Sequence, residues 1–354
     1  MTPRPRVALV LGGGGFVGGA WLIGALQALG LETGWDGRAA SHLVGTSAGS
    51  MIAAMLGCGI PANVMPVVFS GGDFGRADPA RPHRAGTSRP AGARLRLEPG
   101  IPRPLPGSLR LALRALAHPR QYAAGAQVLG WLPKGIFSTE PLQDVVRRLR
   151  PAGWPAHPNL WVVACDLRTA ERVALGRPGA PAADLAVAVA ASCAIPTVYH
   201  PVRIGTGLYV DGGVASPSNL DLLAGEDYDF AICLNPTSSP ARRARRFSYT
   251  SASRRMVMAE ADKLRLLGHE VYVVHPSAAD ARVMGRNLMS VKNLDEIIAT
   301  ARESMVEALR QGDLAELRDR LLRPAPAPVG VPAWRRALRA LRRERPPVPA
   351  TEPA

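Results

Sequence analysis

A serine set between two glycines constrains this chain more than any other feature of its sequence. Leu43-Val44 runs into Gly45-Thr46-Ser47-Ala48-Gly49, and an apolar strand entering a Gly-x-Ser-x-Gly turn is expected to leave it as a helix. Gly45 and Gly49 carry no Cβ where strand and helix approach closely, and the turn leaves the Ser47 hydroxyl exposed at a helix N-terminus. There, N–H groups and the positive end of the helix dipole favour a developing anion. Taken alone, the pentapeptide fits a nucleophile and a purely structural glycine turn equally well.

The residues upstream set the fold class. Val7 to Leu11 reads as a strand, Gly12-Gly13-Gly14-Gly15-Phe16-Val17-Gly18 as a loop, and Gly18 to Leu29 as a helix. Strand, glycine loop, helix, strand, elbow and helix then alternate through about Gly59, which predicts a doubly wound α/β sheet. Val7 to Leu31 carries no charge and follows Arg4 and Arg6, a pattern shared with signal peptides and membrane spans. Four consecutive glycines break the helix that either would need, so a core strand and helix are expected instead.

A chain of 354 residues that is 47% hydrophobic can bury one large core. Its formal charge of +15 comes almost wholly from arginine, with lysine only at Lys134, Lys263 and Lys292. Such a chain is drawn to anionic surfaces, either lipid headgroups or nucleic acid. No zinc-finger spacing or aromatic-interleaved basic motif supports nucleic acid, and none is expected as a partner. Cys58, Cys165, Cys193 and Cys233 are far apart in apolar contexts, which predicts buried thiols in a reducing, cytoplasmic setting, with peripheral membrane attachment the variant to consider.

Between about 76 and 130 the composition shifts to Pro, Arg, Gly and Ala, the mark of an insertion. Within it, Ser108 to His118 places Leu109, Leu113 and Leu116 at helical spacing with Arg110 and Arg114 on another face. The simpler expectation is a short helix packed over the core with its arginines in solvent; a basic helix lying on an anionic membrane is the alternative. Ser138 or Thr139 caps a predicted helix to Arg150. Strands follow at Leu160 to Cys165, Arg172 to Leu175, Leu208 to Val210, Phe230 to Leu234 and Val271 to Val274, with a helix at about Ser253 to Leu267 and two more after Asn293. The expected organisation is one domain over 1–310, interrupted at 76–130, then a helix and a basic tail over 311–354. In that tail Trp334, Leu338 and Leu341 lie among arginines, as an interfacial anchor or as a disordered segment.

Two further segments carry chemistry. Read as Gly13-x-Gly15-x-x-Gly18, the glycine loop matches a dinucleotide fingerprint, and Glu32 and Asp36 lie near the required distance. The next strand, however, ends in the serine elbow rather than in a carboxylate, which weighs against a nucleotide. Tyr209-Val210-Asp211-Gly212-Gly213 places an acid at a strand end, as a base for the serine or as an ordinary Asp-Gly turn. A triad of Ser47, Asp211 and either His269 or His275 follows α/β-hydrolase order, yet only about forty residues precede Ser47, too few for the strands that fold places before its nucleophile. His275 ends a Val-Tyr-Val-Val strand and His269 precedes it, so both have ready structural explanations; His42 lies just upstream of the elbow strand and His200 before Pro201.

The glycine loop Gly13 to Gly18, the elbow Gly45 to Gly49 and Asp211-Gly212-Gly213, each after a strand and in this order, together resemble the patatin-like phospholipases. Ala191-Ser192-Cys193-Ala194-Ile195-Pro196 and the run from Pro201 to Asn219 also resemble that family's approach to its aspartate. The resemblance covers roughly Val7 to Ile60 and Gly135 to Arg310. It implies a three-layer α/β/α sandwich with a mostly parallel central sheet and a serine hydrolase of lipid acyl esters without metal or cofactor. It also implies Ser47 as nucleophile, Asp211 as general base, and Gly13, Gly14 and Gly15 as oxyanion donors, with Gly18, Gly45, Gly49, Gly212 and Gly213 shaping the motifs. One departure stands out: similar sequences often carry Arg or Lys where this chain has Val17. A catalytically silent shell that binds anionic membrane through the insertion or tail is the competing expectation, alongside the Ser-His-Asp esterase.

Overall fold

Val7 to Leu11 forms β1 and His42 to Thr46 forms β2, adjacent, parallel and buried along their whole length, with Leu11 opposite Gly45. An unbroken apolar run of this kind suits a strand covered on both faces. The computed structural model describes residues 5–69, 96–98, 107–117, 128–240 and 249–322. The greater part of the arginine-rich insertion and the tail around Trp334 lie outside them. Strands β3 (Leu160–Asp166), β7 (Phe230–Leu234) and β8 (Glu270–Val274) continue the parallel sheet in the order β3-β2-β1-β7-β8. Antiparallel strands finish it: β4 (Arg172–Leu175) and β6 (Gly207–Asp211) pair with β3, and β5 (Val202–Ile204) pairs with β6.

Alternation along β1 builds the layers, because successive strand side chains point to opposite faces. Val7, Leu9 and Leu11 enter one core, while Ala8 and Val10 enter the other. The first face carries α1 (Gly15–Thr33), α2 (Ala48–Gly57), α5 (Glu140–Leu149), α6 (Leu185–Ser192), α9 (Leu294–Gln311) and α10 (Ala315–Leu322). Short α3 (Met65–Phe69) and α8 (Ala278–Met284) lie at its margin. The second face carries α7 (Tyr249–Leu266) through Val257, Ala261 and Leu264, and α4 (Leu109–Ala117) over Cys165 and Val210. The result is an α/β/α sandwich around a mostly parallel sheet.

Charged only at Glu32 near its end, α1 is long and apolar enough to cross a membrane, and here it is a core helix with Val17 to Ala20 and Leu22 to Ala25 fully enclosed or nearly so. It meets α9 at Gly24, where a Cβ would stand 2.8 Å from that of Ala301. Trp21 Nε1 donates to Asp280 Oδ2 at 3.1 Å, and Asp280 in turn forms a capping box with Ser277.

Several elements differ from expectation. The helix beyond residue 310 is part of the domain: Leu317 and Leu321 enter the same core as β1, and the Arg320 guanidinium lies 4.9 Å from the Phe230 ring centre. In α4 the faces are exchanged, with Leu111, Ala112 and Ala115 buried and Leu109, Leu113 and Leu116 in solvent. The cause is close backbone packing, since a Cβ on Gly130 would lie 2.8 Å from the Ala112 Cα, an approach only the alanine side of the helix allows. Finally β5, α6 and α8 carry no signal read from the sequence; α6 is apolar all round, so periodicity does not reveal it.

Candidate active site

Two neighbouring parallel strands bring the first two motifs together. Because Leu11 pairs with Gly45, the glycine loop after β1 and the elbow after β2 leave the same edge of the sheet side by side. A Cβ built on Gly13 would lie 3.2 Å from that of Ser47. Ser47 has φ 53° and ψ −124°, a backbone state that side chains other than glycine rarely adopt. The turn closes only without side chains around it: a Cβ on Gly45 would stand 2.5 Å from Ser50 Cα, and one on Gly49 would collide with the Leu11 carbonyl.

Asp211 reaches Ser47 through β3. Strand β4 pairs with Val162 to Cys165, overlapping both the β2 register (Leu160 to Val163) and the β6 register (Ala164 to Asp166). Hence β2 and β6 occupy the other edge of β3, end to end, with Thr46 opposite Val163 and Asp211 opposite Ala164. Nearly buried, the Asp211 carboxylate accepts the Gly213 N–H at 2.7 Å and has the Ser47 hydroxyl near enough to favour its charged form. Burial pushes Asp211 up to about 6, against the opposing pull of those two donors.

The junction is held by Ser192, which the sequence reading placed in the run Ala191 to Pro196 but gave no role. Ser192 Oγ accepts the Ser47 N–H at 2.9 Å and donates to the Val163 carbonyl at 2.6 Å, bridging the gap where β2 and β6 part. Two residues on, the Ala194 carbonyl accepts the Asp211 N–H at 3.0 Å. A lone hydroxyl ending the apolar run from Leu185 to Ala191 is the signal that could have drawn attention to it.

Downstream of Asp211 a strap ties the site together. The Pro217 carbonyl accepts the Gly13 N–H at 2.8 Å, Asn219 Nδ2 donates to Thr46 Oγ1 at 3.0 Å, and Ser218 Oγ donates to Glu260 of α7 at 2.6 Å. This corrects the expectation for Gly13, whose amide is already engaged. The Gly14 and Gly15 amides have no acceptor among the described residues. Gly15, at φ 61°, opens α1, and Gly18 packs on Pro236 with Gly14. Val17 is wholly enclosed in the core, its N–H on the Leu288 carbonyl at 3.2 Å.

Histidines stand elsewhere. His42 and His269 sit at the N-terminal ends of β2 and β8, opposite to the edge bearing Ser47, and His269 stacks on Tyr228. His275 follows β8, three strands from β2, which is about 14 Å at ordinary strand spacing. Its Nδ1 lies 2.6 Å from Ser238 Oγ, and burial together with Arg254 pushes it down to about 4. His200 Nδ1 lies 3.2 Å from the Pro201 carbonyl. The carboxylates required for a nucleotide are also placed elsewhere: Glu32 pairs with Arg310, and Asp36 with Arg38.

No curated protein matches the chain. Among solved structures it is similar to VipD from Legionella pneumophila at 15% identity, covering 88% of this chain and 67% of that one with a TM-score of 0.39, a likeness too slight to carry an argument. The family described as patatin-like phospholipase matches residues 9–224, from β1 through the glycine loop, the elbow and the Asp-Gly-Gly turn. That span exceeds half of the 354 residues, and the chain belongs to the patatin-like phospholipases, enzymes that hydrolyse lipid acyl esters.

Proposed function

We propose that Ser47 and Asp211 form the catalytic dyad of this hydrolase and cleave carboxylic esters of lipids through an acyl-enzyme. The observation that carries this reading is the Ser47 hydroxyl, in its glycine elbow, standing beside a buried carboxylate whose burial raises it to about 6. Aspartate in water is too weak a base for serine; burial moves it toward the working pH and strengthens its hold on the hydroxyl proton. Asp211 takes that proton as Ser47 Oγ attacks the ester carbonyl, and returns it to the departing alcohol. Water activated by Asp211 then releases the fatty acid. The Gly14 and Gly15 amides, beside the start of α1, hold the oxyanion; Gly13 positions the loop through Pro217. No step calls on a metal or cofactor.

The test is a fluorophosphonate probe together with a fatty-acyl ester assay. Labelling should require Ser47 and vanish in Ser47→Ala, Asp211→Asn should lose at least about a thousandfold in kcat/KM, and His275→Ala should keep wild-type rates. A folded protein that neither labels nor turns over esters would make the chain a silent lipid-binding shell. Loss with His275→Ala but not with Asp211→Asn would restore the triad.

A further inference from the structure

In α4 three leucines point away from the protein. Leu109, Leu113 and Leu116 recur at helical spacing and are 56%, 54% and 70% exposed, while Leu111, Ala112 and Ala115 seat the helix on the core. Trp131 is 48% exposed on the turn whose Gly130 carbonyl accepts the Ser108 N–H at the start of this helix. Arg110 and Arg114 form a second exposed stripe next to the leucines. A helix already packed through its other face does not need three exposed leucines for folding, and scattered single exposures do not explain a stripe of them.

We propose that this face of α4, with Trp131, docks on a phospholipid bilayer bearing anionic headgroups. Two features select this occupant. The apolar stripe runs alongside a cationic one, the division needed to sit at the boundary of acyl chains and headgroups, and an exposed tryptophan is carried on the turn bonded to the start of the same helix. The charge complements it, since the whole chain carries +15 and the arginines adjoining the stripe are in solvent. Position agrees: α4 packs on Val210, the residue before Asp211 in β6. The proposal rests on the reading of the chain as a lipid hydrolase and adds where it meets its lipid.

Full-length Ser47→Ala protein is mixed with vesicles of phosphatidylcholine alone and of phosphatidylcholine with phosphatidylglycerol, and binding is read by co-sedimentation. Binding should favour the anionic vesicles and weaken with salt. In the same background Leu113→Asp with Leu116→Asp should lower affinity by about tenfold or more, and Arg110→Gln with Arg114→Gln should remove most of the preference for anionic lipid. Built on wild-type Ser47, both pairs should leave hydrolysis of a water-soluble short-chain ester unchanged. Leu116→Ser, at the most exposed of the three leucines, gives a milder change in the same direction if the aspartates disturb the helix. Equal vesicle binding by parent and variants overturns the proposal, as does a leucine variant that converts a dimer to a monomer without altering vesicle binding, which would assign the face to a second copy. Vesicle binding without turnover of any ester would sink the dyad and leave the docking face standing.

Discussion

Burial of Asp211, the proposed base, costs stability. Its carboxyl moves from the ordinary 3.8 to about 6 in the fold. Between those values the folded protein keeps a proton that the unfolded chain has released, so stability falls as pH rises through this window, by about 3 kcal/mol in total. Above about pH 6 the cost is fully present and so is the carboxylate that the proposed mechanism needs. The same residue therefore predicts two curves: kcat/KM should rise with pH to a plateau above about 6, and Asp211→Asn should be more stable than wild type at about pH 8 while matching it below about pH 3.8. Thermal melts across pH check the second, and a variant less stable than wild type at every pH would refute it. Ser192 makes a different prediction. Removing its hydroxyl leaves the buried Ser47 N–H unpaired, a loss of about 1 to 3 kcal/mol. For a soluble ester, Ser192→Ala should lower kcat much more than it changes KM, and Ser192→Thr should recover part of it. Such a hydrogen bond, between residues 145 apart in sequence, has no local signature.

Elements were legible where one local pattern decides them. β1, β4 and β7 match their expected bounds, because a short apolar run between turn residues has one reading when its neighbours alternate strand and helix. The elbow between β2 and α2 was legible for the same reason: its glycines answer a local demand for room. Gly49→Ala should therefore cost about 2 to 3 kcal/mol or more, because its Cβ meets the Leu11 carbonyl, a backbone group that cannot swing away. Chemical denaturation measures the loss, and an unchanged midpoint would mean that the turn relaxes. For α4, periodicity found the helix and named the wrong face, since leucine outweighs alanine in any hydrophobic pattern while close approach to Gly130 favours alanine. A strand as short as β5 and a helix as uniformly apolar as α6 offer too little period to separate them from other structure.

At the scale of the whole molecule, the domain extends past residue 310 because α10 closes the core over β7. Leu317→Ala should lower stability by about 2 to 5 kcal/mol, as expected for an enclosed leucine, and Leu322→Ala, half exposed on the same helix, by much less; equal melting shifts would contradict the packing. By itself the sequence determined the alternation that makes the sheet parallel, the serine turn, the glycine loop and the acid at a strand end, all of which follow from residues near one another in the chain. Only the tertiary structure decided how they meet. Two strands ending against each other on β3 set Asp211 beside Ser47 without a histidine, Pro217 took the Gly13 amide, and Ser192 filled the gap between the strands. These are contacts between distant segments, where packing and the need to satisfy buried hydrogen bonds prevail over local preference.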